Sequence, residues 1–102
     1  VNIGDNCFVG HGVMFINDNY PESVNCDGNL QSEEDWADRF VETYIGNNVS
    51  IGSNVTILGN VTIGDGSIVG AGSVVTKSIP SGQIWAGNPA KKIRELENKI
   101  NN

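Results

Sequence analysis

Few side chains in this chain could do chemistry. His11 is its single histidine. A neutral imidazole can take a proton from a hydroxyl or an amine as that group attacks an electrophile. Taken alone, a lone histidine is more often a satisfied structural or surface residue. Lys77, Lys91 and Arg94 can meet phosphate oxygens; taken alone, they are ordinary solvated charge. Asn17 and Asp18 form a turn pair, which Asn and Asp favour, and their polar groups can also contact a ligand. No arrangement of a cysteine or serine with a base suggests a covalent enzyme intermediate.

The rest of the composition narrows the partners. The chain has 102 residues, enough for one domain, and a net charge of −6. That balance argues against nucleic acid or an anionic membrane as a partner. It leaves room for an anionic cofactor, since a few local cations can override the global sign. Cys7 and Cys26 make no disulfide framework, and Cys7 reads as a small buried hydrophobe. No apolar run approaches membrane-spanning length and no signal peptide is visible, so a cytoplasmic protein is expected. Val1 enters a repeat in mid-stride, and the expectation is a C-terminal part of a longer chain, with further coils before it.

The elements that must position these residues are set by that repeat. From Ile45 to Pro80 every sixth residue is aliphatic: Ile45, Ile51, Ile57, Ile63, Val69, Val75. Four places after each comes a small or β-branched residue: Val49, Val55, Val61, Ser67, Ser73, Ile79. This is neither helical periodicity nor strand alternation but an internal repeat. Each hexad predicts a short strand and a turn, with residues i and i+4 pointing inward. Gly or Asn between them supplies the turn, where positive φ is cheap. Stacked coils then pair as parallel strands around one aliphatic column. Residues 1–16 carry the same register through Ile3, Val9 and Phe15, and the step from Phe15 to Ile45 is 30 residues, a multiple of six. The segment between, about 17–44, has no hexad pattern and reads as a long inserted loop, either functional or a solvated excursion anchored by Trp36.

The run from Ile45 to Ile93, including VVTK and AGNPAKKI, resembles the hexapeptide-repeat acyltransferases. The resemblance implies an all-β, left-handed parallel β-helix, triangular in section, with three hexads per coil. That hand is implied by the family alone, since the general rule for parallel crossovers is right-handed. The domain reading is a β-helix over 1–80 with the loop at about 17–44, then a C-terminal loop and capping helix over 81–102. Pro89 can open that helix, and Ile93, Leu96 and Ile100 have helical spacing.

With three hexads per coil, and with the loop replacing no hexad, His11, Ser53 and Ala71 stack along one corner. In the galactoside and maltose O-acetyltransferases of this superfamily, coenzyme A lies along such a column, in a groove between subunits. The positions matching their cofactor contacts are Ser53, Ala71, Thr76, Lys77, Lys91 and Arg94. Small residues let the pantetheine arm approach the backbone, and the cations meet phosphates. The resemblance implies acetyl-CoA as co-substrate, a homotrimer with the site between subunits, and His11 near the thioester.

Residues 10–21, GHGVMFINDNYP, resemble the nucleotide-sugar N-acetyltransferases that acetylate a 3-amino group on dideoxy sugars for surface polysaccharides. There an asparagine matching Asn17 orients the reaction and the base can be dispensable. Asn17 is then a catalytic candidate beside His11, with Asp18 and Tyr20 as substrate contacts. This chain departs from the pattern at Asn25-Cys26-Asp27 and at Pro21-Glu22, where a basic residue often follows the proline. The expected function is acetyl-CoA-dependent N-acetylation of a nucleotide-linked deoxy sugar. The alternatives are O-acetylation of a sugar or serine, and a non-catalytic scaffold. A three-histidine zinc site between chains is excluded by the single histidine, and no metal is expected.

Overall fold

The computed structural model describes residues 1–17 and 42–96. Its coils are built from strands of two residues. The first coil contains β1 (Asn2–Ile3), β2 (Phe8–Val9) and β3 (Met14–Phe15). The second contains β4 (Tyr44–Ile45), β5 (Ser50–Ile51) and β6 (Thr56–Ile57). The third contains β7 (Thr62–Ile63), β8 (Ile68–Val69) and β9 (Val74–Val75). Each strand pairs in parallel with its counterpart one coil on, giving three faces: β1-β4-β7, β2-β5-β8 and β3-β6-β9. Ile3 faces Ile45, so the inserted segment replaces no hexad and the chain returns in phase. All-β architecture with parallel ladders supports the β-helix.

The inward positions are those the repeat predicts. Ile45, Ile51, Ile57, Ile63, Val69 and Val75 are buried, and so are Val49, Val55, Val61, Ser67, Ser73 and Ile79. Thr43 joins the second set, and its carbonyl accepts from Asn2 N–H at 2.9 Å. The repeat therefore resumes at Thr43, earlier than the expected loop end at residue 44. In the first coil the inward Ile3 and Val9 are 46% and 39% exposed.

Seven corners turn through the left-handed region at the same place in the hexad. Asn6, Asn48, Asn54 and Asn60 have φ of 58–63°, and Gly12, Gly66 and Gly72 have φ of 71–73°. Asn and Gly are the residues that enter this region at least cost.

The C-terminal segment differs from expectation. Ala90–Glu95 is not a helix but strand β11, antiparallel to β10 (Gln83–Gly87). β10 itself extends the second face, pairing in parallel with β8 through Ile84–Ile68 and Trp85–Val69. The reason is tertiary. Once β10 lies on the solenoid it presents an unpaired edge, and backbone pairing along that edge outweighs the local helical spacing. Leu96 N–H closes the hairpin on Gly82 C=O at 2.7 Å. The hairpin, not a helix, covers the upper end. The remainder of the expected helix, 97–102, and the loop over 18–41 lie outside the described residues. Among the described residues no helix is long and apolar enough to cross a membrane.

Because Gly66 shares its backbone conformation with Asn48 and has no atom within 4 Å of an added Cβ, conformation alone governs replacement there. Gly66→Asn is expected to leave unfolding free energy within about 0.5 kcal/mol, whereas Gly66→Val loses about 1–2 kcal/mol, both measured by urea denaturation.

Candidate active site

The corners carry the candidate residues, and the hydrogen bonds between coils fix which share an edge of the prism. His11 N–H donates to Ser53 Oγ at 3.2 Å, and His11 C=O accepts from Asn54 N–H at 2.7 Å. Ser53 C=O in turn accepts from Gly72 N–H at 2.9 Å. His11, Ser53 and Ala71 therefore stack on one edge, as the arithmetic predicted. His11 has its backbone held from both sides and its side chain exposed.

This edge is narrow because each coil puts a glycine under the coil above. A Cβ on Gly10 would stand 2.7 Å from Ser53 N, one on Gly52 2.6 Å from Ala71 N, and one on Gly70 2.9 Å from Ala86 Cβ. The small residues here serve coil stacking directly, whatever else they contact.

The next edge carries the other half of the set. Ile16 N–H donates to Ile57 C=O, and Leu58 N–H to Val75 C=O. Asn17 thus lies below Gly59, with Lys77 above. Parallel strands lie about 4.8 Å apart, so Asn17 and Lys77 are two such steps apart along this edge. Asn17 and Lys77 are both exposed.

At the top of that edge the hairpin closes a cleft of about 220 Å³ lined by Thr76, Lys77, Trp85, Pro89, Ala90, Lys91 and Lys92. The structure therefore brings Thr76, Lys77 and Lys91 together. Lys92 pairs with Glu95 at 3.5 Å, an exposed contact worth little. Among the described residues, Lys77 and Lys91 have no carboxylate partner. Trp85 gives the cleft an apolar wall, and its indole N–H donates to Gln83 Oε1 at 2.9 Å.

Other candidates are not brought in. Arg94 does not line the cleft; it stands opposite Ile84, and its guanidinium donates to Glu95 C=O at 3.3 Å. Ser53 and Ala71 sit on the His11 edge and do not line the cleft. Asp18 and Tyr20 lie outside the described residues. Trp85 was not among the sequence candidates. Its signal is register: it faces Val69, so it caps the aliphatic column from within. No group of three His, Cys, Asp or Glu side chains suited to a metal occurs among the described residues.

Residues 42–77 match the model described as bacterial transferase hexapeptide (six repeats), and residues 1–14 match the hexapeptide repeat of succinyl-transferase. A solved galactoside acetyltransferase in complex with coenzyme A is 37% identical, with a TM-score of 0.76, covering 97% of this chain and 46% of that one. The repeats of this chain are those of the hexapeptide-repeat transferases. A hexapeptide-repeat-containing acetyltransferase from Vibrio cholerae O1 biovar eltor, complexed with acetyl coenzyme A, is 30% identical. Its TM-score is 0.73, over 94% of this chain and 49% of its own. A maltose O-acetyltransferase from Clostridium difficile 630 is 29% identical, with a TM-score of 0.63, over 94% of this chain and 59% of its own. The chain thus spans about half the length of these structures. No curated protein sequence matches it.

The packing of the His11 edge yields a direct test. Gly52→Ala places a methyl against the backbone of Ala71, and overpacking of this kind costs about 1–3 kcal/mol. The expected result is a lower thermal midpoint together with faster amide exchange at Gly72, whose N–H spans the two coils.

Proposed function

We propose that the chain is an acetyl-CoA-dependent acetyltransferase that acetylates a sugar. The observation that carries this reading is the cleft in which Lys77 and Lys91, neither with a carboxylate partner among the described residues, stand beside Thr76 and the apolar wall of Trp85 and Pro89. Paired cations suit phosphates, and an apolar wall suits the carbon skeleton that follows them. This local charge overrides a net charge of −6. A scaffold has no need of such a cleft. The coenzyme A and acetyl coenzyme A bound by the relatives support the same ligand here.

The cleft alone is smaller than the roughly 300–1,000 Å³ of a typical small-molecule site. The other matching positions, Ser53 and Ala71, stand with His11 on a different edge. Both facts support a groove completed by a second copy, with the His11–Ser53–Ala71 edge of one subunit facing the Lys77–Lys91 cleft of the next. A closed ring of three such heterologous contacts makes a homotrimer.

The chemistry follows from the groups present. The acceptor oxygen or nitrogen attacks the thioester carbonyl carbon as His11 takes its proton. The carbonyl oxygen becomes an oxyanion in a tetrahedral intermediate, met by a backbone N–H or by the Asn17 amide. Collapse re-forms the carbonyl and breaks the carbon–sulfur bond, and the departing thiolate takes a proton. Acetyl passes directly from cofactor to acceptor.

Two acceptor classes fit. A sugar hydroxyl is favoured by the galactoside and maltose enzymes among the relatives. An amino group on a nucleotide-linked deoxy sugar is favoured by residues 10–21, with Asn17 sharing the Lys77 edge. A hydroxyl needs a base, whereas a neutral amine is already nucleophilic.

Calorimetry should show acetyl-CoA binding by the wild-type chain, weakened at least tenfold by Lys77→Ala and by Lys91→Ala; no binding by the wild type would sink the reading. In turnover assays with sugar acceptors, His11→Ala should lose more than Asn17→Ala for a hydroxyl acceptor, and the order should reverse for an amine. If neither loses more than about tenfold, roughly 1.4 kcal/mol of barrier, both roles are wrong. Mixing His11→Ala with Lys77→Ala subunits should restore about a quarter of the sites if each site draws on two subunits of a ring, and none if it does not.

A further inference from the structure

The inward i+4 position holds valine at residues 49, 55 and 61 but serine at 67 and 73. The change coincides with the face that receives the hairpin. Both serine side chains are fully buried. A buried hydroxyl is unfavourable unless it is hydrogen-bonded, so its partners explain its presence. Ser67 Oγ donates to Pro80 C=O at 2.7 Å and accepts from Gln83 N–H at 3.5 Å, where β10 begins. Ser73 Oγ donates to Gly70 C=O at 2.6 Å and accepts from Gly87 N–H at 3.0 Å, where β10 ends.

The second bridge sits at a decisive point. β10 runs parallel to β8, and Gly70 N–H donates to Trp85 C=O at 2.9 Å. In a regular parallel ladder the carbonyl of Gly70 would then receive the amide two residues on, that of Gly87. Instead the Ser73 hydroxyl takes up both groups. It is a one-oxygen spacer in the last rung before the chain turns. Gly87 has φ 107°, and the turn through Asn88 and Pro89 delivers Ala90 and Lys91 to the cleft beside Thr76 and Lys77.

We infer that Ser73 is a positioning residue for the cofactor cleft: its buried hydroxyl, bridging Gly70 and Gly87, sets where the hairpin turn places Lys91 against Thr76 and Lys77. The inference rests on the proposed acetyl-CoA reading. It differs from a stability role in a way that Ser67 makes measurable. Ser67 offers the same kind of buried hydroxyl to the same strand, β10, but at the end remote from the turn.

The test compares full-length Ser73→Ala, Ser73→Thr and Ser67→Ala, reading acetyl-CoA affinity by calorimetry and site-resolved amide exchange in the free protein. Ser73→Ala should speed exchange at Gly87 at least tenfold and weaken acetyl-CoA binding about tenfold. Ser73→Thr, which keeps the hydroxyl, should restore both to within about threefold. Ser67→Ala should lower the thermal midpoint comparably and leave affinity within twofold. Should Ser73→Ala not fold, Ser73→Cys nearly keeps the volume with a weaker bridge, and it should shift both readouts in the same direction. Faster exchange at Gly87 with unchanged affinity overturns the inference and leaves the acyltransferase reading intact. Equal loss of affinity in Ser67→Ala also overturns it, since that outcome reports general destabilisation. Failure of the wild type to bind acetyl-CoA overturns the functional reading and this inference with it, and is seen without any variant.

Discussion

A parallel strand two residues long cannot hold itself, and each coil of this solenoid exists only through the coils it stacks on. The amide at each corner donates to a carbonyl one coil away, as Gly10 does to Ile51 and Gly52 to Val69. The inward Ile and Val side chains are buried by their counterparts in the next turn. Both interactions demand one constant rise and one constant register. That demand explains why the left-handed turn recurs at the same hexad position, and why a glycine lies under each coil on the His11 edge. It also explains why the inserted segment returns in phase: a slip of one residue would turn Ile45 outward and break every rung above it.

The same constraint makes the ends of the stack the places where the pattern must change. At the base the inward residues are partly exposed. At the top, β10 adds one more parallel rung and β11 then turns antiparallel, so the last edge is paired by a strand of the chain itself. Trp85 closes the aliphatic column from the inward register, and two serines replace valines where the hairpin is attached. The cleft is a by-product of this closure. It forms where the hairpin meets the corner of Thr76 and Lys77, and an acidic chain there gathers two lysines that no carboxylate among the described residues neutralises.

Stacking also distributes function over edges rather than over neighbouring residues. His11, Ser53 and Ala71 form one vertical set; Asn17, Thr76 and Lys77 form another. Residues distant in sequence thus share an edge, while residues a hexad apart stand on different edges. A groove that needs both sets calls for two edges to face each other, as in the proposed pairing of subunits.

What the sequence determined by itself is whatever repeats. Six-residue spacing, two inward positions per hexad and Asn or Gly at the turns are local rules applied many times, so the stacked coils and their core were legible in the residues, and the His11–Ser53–Ala71 column followed once the family resemblance supplied three hexads per coil. The tertiary structure decided what happens once. Ala90–Glu95 has helical spacing, but the edge of β10 makes it a strand, because hydrogen bonds to a surface already built outweigh a local preference. Arg94 shares a sequence neighbourhood with Lys91 yet stays out of the cleft, because the register of β11 sets it opposite Ile84. Trp85 and Ser73 carried no motif, and only the stacking of β10 on β8 gave one a column to cap and the other a rung to bridge.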